Sequence, residues 1–257
     1  MNSFYVKNLG DIIDIPYGDY ADCRKALDDA NANFSKMTAR NTAFGRIQLG
    51  MDSEFSKIGN MVSEEIIYNV KGVGNVLYLK AGPIALNPNL ATRVYSEGNE
   101  LALDHPSIKM PNYLKEFGKT WAAALPDFVK TEMEKLNLEK TNPISDLRAY
   151  ALPSFSKVSV DSLAKITIKG LKNVDYFNNL PTPVKPIALL LKDKTSSYAK
   201  KILKPNGVNT LKCDIDFKYI NRLTIPRSLW FMGLDCYSGL SSYFSPSANL
   251  GMRGICD

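Results

Sequence analysis

The residues best suited to chemistry gather in one stretch of the chain. Between Pro183 and Arg227 stand ten basic residues: Lys185, Lys192, Lys194, Lys200, Lys201, Lys204, Lys212, Lys218, Arg222 and Arg227. Only three acids lie among them, Asp193, Asp214 and Asp216. The stretch carries a net +7, against +6 for all 257 residues, so the rest of the chain is close to neutral. Lysine and arginine neutralise phosphates and release counterions, and exposed aromatics stack on unpaired bases. With Tyr198, Phe217 and Tyr219 interleaved, the stretch reads as a nucleic-acid contact. Lys192, Lys194, Lys200, Lys201, Lys204, Lys212, Lys218, Arg222 and Arg227 are its contact residues. Lysine outnumbers arginine eight to two here, which favours diffuse attraction to a backbone over bidentate reading of bases. The plainer alternative is a solvated lysine-rich face, or a patch that meets an acidic neighbouring subunit.

Asp214-Ile215-Asp216 places two carboxylates on one face of a strand. Paired carboxylates hold Mg²⁺ or Mn²⁺ in phosphoryl and glycosyl transfer. The competing reading is the polar face of an alternating strand, with Lys212 and Lys218 as partners, so Asp214 and Asp216 are weak metal candidates and no cofactor is expected. Ser154-Phe155-Ser156-Lys157 and Ser162-Leu163-Ala164-Lys165 match Ser-x-x-Lys, but no companion Ser-Asp-Asn or Lys-Thr-Gly accompanies them. His105 is the single histidine, in the turn-like Asp104-His105-Pro106, which excludes histidine clusters. Cys23, Cys213, Cys236 and Cys256 form no Cys-x-x-Cys pair and read as scattered reduced thiols.

Behind these residues the patterning points to mixed structure. Tyr20, Cys23, Leu27, Ala30, Phe34 and Met37 recur at helical spacing and predict one long N-terminal helix over 20–37. From Ala43 the period shifts to two, with Ile47 and Leu49 alternating with Arg46 and Gln48. Val62, Ile66, Tyr68 and Val70 continue the alternation, and Lys71-Gly72-Val73-Gly74-Asn75 turns the chain into Val76-Leu77-Tyr78-Leu79, a β-hairpin. Residues 82–111 read as a long connection. Leu114, Phe117, Trp121 and Leu125, then Val129, Met133 and Leu136 beyond Pro126, predict a central αα-hairpin. Ile166 and Ile168 suggest a strand. Leu211, Cys213, Ile215, Phe217 and Tyr219 alternate with charged residues and predict a half-buried strand.

The fold class expected is α+β, a mainly antiparallel sheet with one long N-terminal helix and a central αα-hairpin. An N-terminal α+β region over 1–140 and a C-terminal β-rich region over 155–257 are expected, or one domain. No run approaches the roughly 18 apolar residues of a membrane span, so no membrane partner is expected. Without a signal-peptide pattern the expected place is the cytoplasm or an assembled particle. The functional expectation is a non-enzymatic structural or assembly subunit, such as a phage or virus component or a nucleoprotein subunit. It would self-associate or meet other subunits, and its basic stretch would touch nucleic acid. A monomeric nucleic-acid-binding protein and an enzyme with a metal site at Asp214 and Asp216 are the alternatives.

Overall fold

The first elements are strands. In the computed structural model, which describes residues 2–15, 20–30, 34–79, 82–86, 123–134, 144–214, 224–234, 239–242 and 252–256, β1 (Asn2–Val6) and β2 (Gly10–Ile15) form an antiparallel pair. The turn between them puts Asn8 at φ 66° and Gly10 at φ 91°, conformations that asparagine tolerates and glycine adopts freely.

The apolar stripe from Tyr20 to Met37 does not make one helix. It divides into helix α1 (Tyr20–Ala30) and strand β3 (Phe34–Lys36). Asn31 and Asn33 are poor helix formers, and β3 finds partners for its backbone on strand β11 (Met252–Cys256), where Phe34 stands opposite Cys256. Cys23, Leu27 and Met37 are still fully buried, so the stripe marks the core although one helix does not carry it.

Helix α2 (Ala39–Leu49) replaces the alternating segment expected after Ala43. Its ends are well made. Thr38 accepts the Asn41 N–H at 3.0 Å, the Glu64 carboxylate accepts the Ala39 N–H at 3.0 and 3.2 Å, and Gly50 ends the helix at φ 86°. Helix α3 (Glu54–Lys57) follows, capped by Ser53.

The hairpin expected around Gly72 and Gly74 forms, from β4 (Asn60–Val70) and β5 (Gly74–Tyr78), with both glycines at positive φ. Strand β6 (Ala149–Leu152) adds to β5. Farther along lie β7 (Lys157–Ser159), β8 (Thr210–Asp214), β9 (Ile225–Phe231) and β10 (Leu240–Ser241). The strand order is β1-β2-β11-β4-β9-β10-β8-β7, with β3 on β11 and β5 on β4.

The sheet is therefore mixed, not mainly antiparallel: β11 runs parallel to β4, with Met252 opposite Met61, and β10 runs parallel to β8. Both parallel pairings join strands that lie far apart along the chain, where no hairpin turn dictates direction. Of the central αα-hairpin, a helix over 123–134 is seen. It runs through Pro126, with Leu125 and Val129 buried. Residues 87–122 and His105 with them lie outside the described residues, as do Ile215, Phe217 and Tyr219. Ile168 is in no strand and stands 57% exposed.

Charges as well as apolar side chains hold the sheet to α2. Arg253 on β11 bonds Asp14 on β2 at 2.7 Å and Asn60 at 3.3 Å, and its guanidinium lies 3.9 Å from the centre of the Phe55 ring. Burial, partly offset by Asp14, pushes the Arg253 guanidinium down to about 10, and the neighbouring Arg46 adds to that. Arg46, fully buried in α2, donates to the Tyr198 hydroxyl at 2.9 Å and to the Ile58 carbonyl at 3.3 Å, and lies 4.6 Å over the Phe231 ring. Burial likewise pushes the Glu64 carboxyl up to about 7 and the Lys36 ammonium down to about 8.

Candidate ligand pocket

The helix Val184–Leu191 is apolar nearly all round and buried. It ends at Lys192, whose backbone takes φ 49° and ψ −127°, a region that only glycine enters without strain. The sharp bend starts a 3₁₀ turn, Lys192–Lys194, and the short helix Thr195–Tyr198 follows. The Thr195 hydroxyl donates back to the Lys192 carbonyl at 2.7 Å and fixes the bend.

Two side chains of α2 register that helix against this turn. Arg46 reaches Tyr198, as above. Arg40, in the first turn of α2, grips Asp193 with a fork: Nε to Oδ1 at 2.6 Å and Nη2 to Oδ2 at 3.2 Å. Lys194 adds a contact to Asp193 Oδ2 at 2.9 Å, and its ammonium lies 4.5 Å from the centre of the Phe44 ring. Partial burial pushes the Asp193 carboxyl up, but the hydrogen bonds and charges of Arg40 and Lys194 outweigh it and hold the group below the ordinary aspartate range. Asp193 is thus an anion at neutral pH, fixed between two cations.

Beside this ion group opens a cavity of about 280 Å³. Its apolar wall is made by Ile144, Ile168, Leu171, Ala188 and Leu189, and its polar wall by Arg40, Lys172, Lys192 and Asp193. An apolar cavity with a few convergent polar groups is the usual form of a small-molecule site, and this one lies just below the usual size range.

The structure distributes the sequence-derived candidates unevenly. Lys192 lines the cavity and Lys194 stands next to it, on Asp193. Lys200 and Lys201 lie on the short π-helix Ala199–Leu203, and both are exposed. Lys204, also exposed, pairs with Asp161 at 2.6 Å. Lys212 is exposed on β8, opposite Lys157 of β7. Arg227 is buried in β9 at 3% exposure, where a nucleic-acid strand does not reach it. Lys218, Arg222 and Asp216 lie outside the described residues, and Asp214 ends β8. Among the described residues no three acidic, cysteine or histidine side chains are grouped to hold a metal ion. Cys23 and Cys213 are buried thiols. No described helix is long and apolar enough to cross a membrane. Arg40 and Lys172 were not anticipated. A Thr-x-Arg helix start at 38–40 was the one sequence signal for Arg40, and Lys172 had none.

The mixed sheet with α1 and α2 packed on it defines an α+β scaffold similar to the C-type lectin fold. One solved structure that carries this likeness is a Nanoarchaeota protein in which that fold accommodates massive sequence variation. It aligns with a TM-score of 0.53 at 11% identity, over 95% of this chain and 97% of that one. No protein-family model matches the chain, and no curated protein matches it.

Proposed function

We propose that this chain is a non-enzymatic binding subunit, a C-type-lectin-like scaffold that takes its ligand in the pocket lined by the end of helix Val184–Leu191 and by residues 168–172, with Arg40 and Asp193 at its edge. The observation that carries the reading is the pre-assembled Arg40–Asp193–Lys194 group on the rim of an apolar cavity. Because Arg46 and Arg40 both lock α2 against the turn, the site is organised before any ligand arrives, which reduces the ordering cost of binding. A ligand-observed NMR screen tests it. Hits should bind the native protein, lose binding in Ala188→Met, which fills the cavity, and be recovered chemically unchanged. Equal binding to Ala188→Met, or conversion of a bound compound, would overturn the proposal.

A second reading keeps the assembly role with a nucleic-acid contact. It is favoured by Lys200, Lys201 and Lys204, three exposed lysines within five residues. Steep loss of polyanion binding with salt, abolished by changing all three to Gln, is its expected result. Salt-independent or unchanged binding removes it.

A further inference from the structure

The pocket's charge pattern narrows its ligand, on the reading that the pocket is a binding site at all. We infer that its ligand is a small apolar body bearing a single negative charge, an amphipathic carboxylate in chemical class.

Three observations lead there. First, the polar wall holds three cations and one acid, and the acid is already engaged by Arg40 and by Lys194 outside the wall. That leaves an excess of positive charge at the wall, centred on Lys172. Lys172 is exposed and makes no ion pair among the described residues. An anion entering the cavity therefore meets positive charge without having to break the Arg40–Asp193 fork. Second, the Asp193 carboxylate faces the same cavity and stays ionised. One negative charge on the ligand is offset by the lysines. A second charge, as on a doubly charged phosphate, would lose its water against a mostly apolar lining, and about 280 Å³ has no room for a chain of phosphodiesters, so the cavity favours a single charge. Third, the rest of the lining is apolar and includes Ile168, which is 57% exposed. A ring or short alkyl body covers that side chain, and about 280 Å³ admits little more.

Lys192 supports the same conclusion from its backbone. Glycine is the residue that its φ of 49° favours. A lysine held there at a cost of roughly 1–3 kcal/mol places an ammonium on the cavity wall.

The test is a charge series on one apolar body: 3-phenylpropanoate, 3-phenylpropanol and 3-phenylpropylamine, with phenyl phosphate as the dianion. Binding is followed by methyl shifts of Ile168, Ala188 and Leu189. The carboxylate should bind about tenfold more tightly than the alcohol, as a charge-assisted hydrogen bond provides, and more tightly than phenyl phosphate. The amine should not bind. Lys172→Gln, an exposed change, should cut the preference for the carboxylate several-fold and leave the melting temperature unchanged. Equal binding of acid, alcohol and amine at these methyls overturns the anion inference and leaves the pocket reading intact. Phenyl phosphate binding as well as the carboxylate overturns the single-charge part. No shift of the pocket methyls with any of the four defeats both readings.

Discussion

Replacing Asp14 with Asn should be among the most damaging single changes that keep the shape of the fold. Asp14 is 1% exposed and Arg253 is fully buried, and the pair at 2.7 Å ties β2 to its sheet neighbour β11. Asn keeps the volume and removes the charge. Arg253 then retains Asn60 and the Ile58 carbonyl, at 3.3 and 3.4 Å, but loses its carboxylate while Arg46 remains beside it. Breaking one side of a buried ion pair costs about 3–5 kcal/mol, against a total of about 5–15 kcal/mol for a folded protein. Urea unfolding should show a large fall in midpoint with little change in slope. Asp14→Leu combined with Arg253→Met removes both charges. It should recover much of the loss, because a buried pair contributes little net energy over apolar residues of similar volume. A cost below about 1 kcal/mol for Asp14→Asn, the range of a solvated surface pair, would refute the reasoning. So would a double variant no more stable than the single one.

Other expectations follow from particular contacts. Burial raises the Glu64 carboxyl from 4.5 to about 7, so its contribution to stability is fully present below pH 4.5 and is lost as pH rises through 7. The steepest slope is about 1.4 kcal/mol per pH unit. Glu64→Gln should flatten the fall in stability between pH 5 and 7.5, and an unchanged pH profile contradicts the assignment. A Cβ on Gly233 would lie 1.9 Å from the Lys57 carbonyl oxygen, a backbone clash that no side-chain rotation relieves. Gly233→Ala should therefore lower stability by about 1–3 kcal/mol in thermal unfolding, and a neutral result shows that the close approach is absent. Lys192→Gly releases backbone strain of about 1–3 kcal/mol and adds about 0.5–1 kcal/mol of chain entropy cost. Calorimetry should find an equal or higher melting temperature together with weaker binding of 3-phenylpropanoate. A melting temperature several degrees lower refutes it.

What the sequence made legible was local. Glycines at 72 and 74 between alternating apolar runs mark the β4–β5 hairpin, because the turn needs positive φ that few other residues supply. Helix α2 was hidden by its own function. Arg46 reads as the polar member of an alternating strand, yet it is a core residue held by Tyr198 and Ile58. Thr38 and Gly50, the cap residues, carried the better signal. The continuation of the α1 stripe through Phe34 misled because helical spacing also fits a short strand that follows a break. The parallel pairings of β11 and β10 come from tertiary packing, which no local pattern encodes. At the pocket, Lys192 and Lys194 drew attention through the local charge excess. Arg40 is 153 residues away from Asp193 in sequence, and only the packing of α2 on the turn brings the two together.

The pocket is proposed as a seat for a small monoanion. Its most direct test is a crystal structure of the protein soaked with 3-phenylpropanoate. The expected result places the ring against Ile168, Ala188 and Leu189, and the carboxylate within hydrogen-bond distance of Lys172 or Lys192, with the Arg40–Asp193 fork intact. An empty pocket at saturating ligand, or the ligand seated with its carboxylate turned away from both lysines, contradicts it.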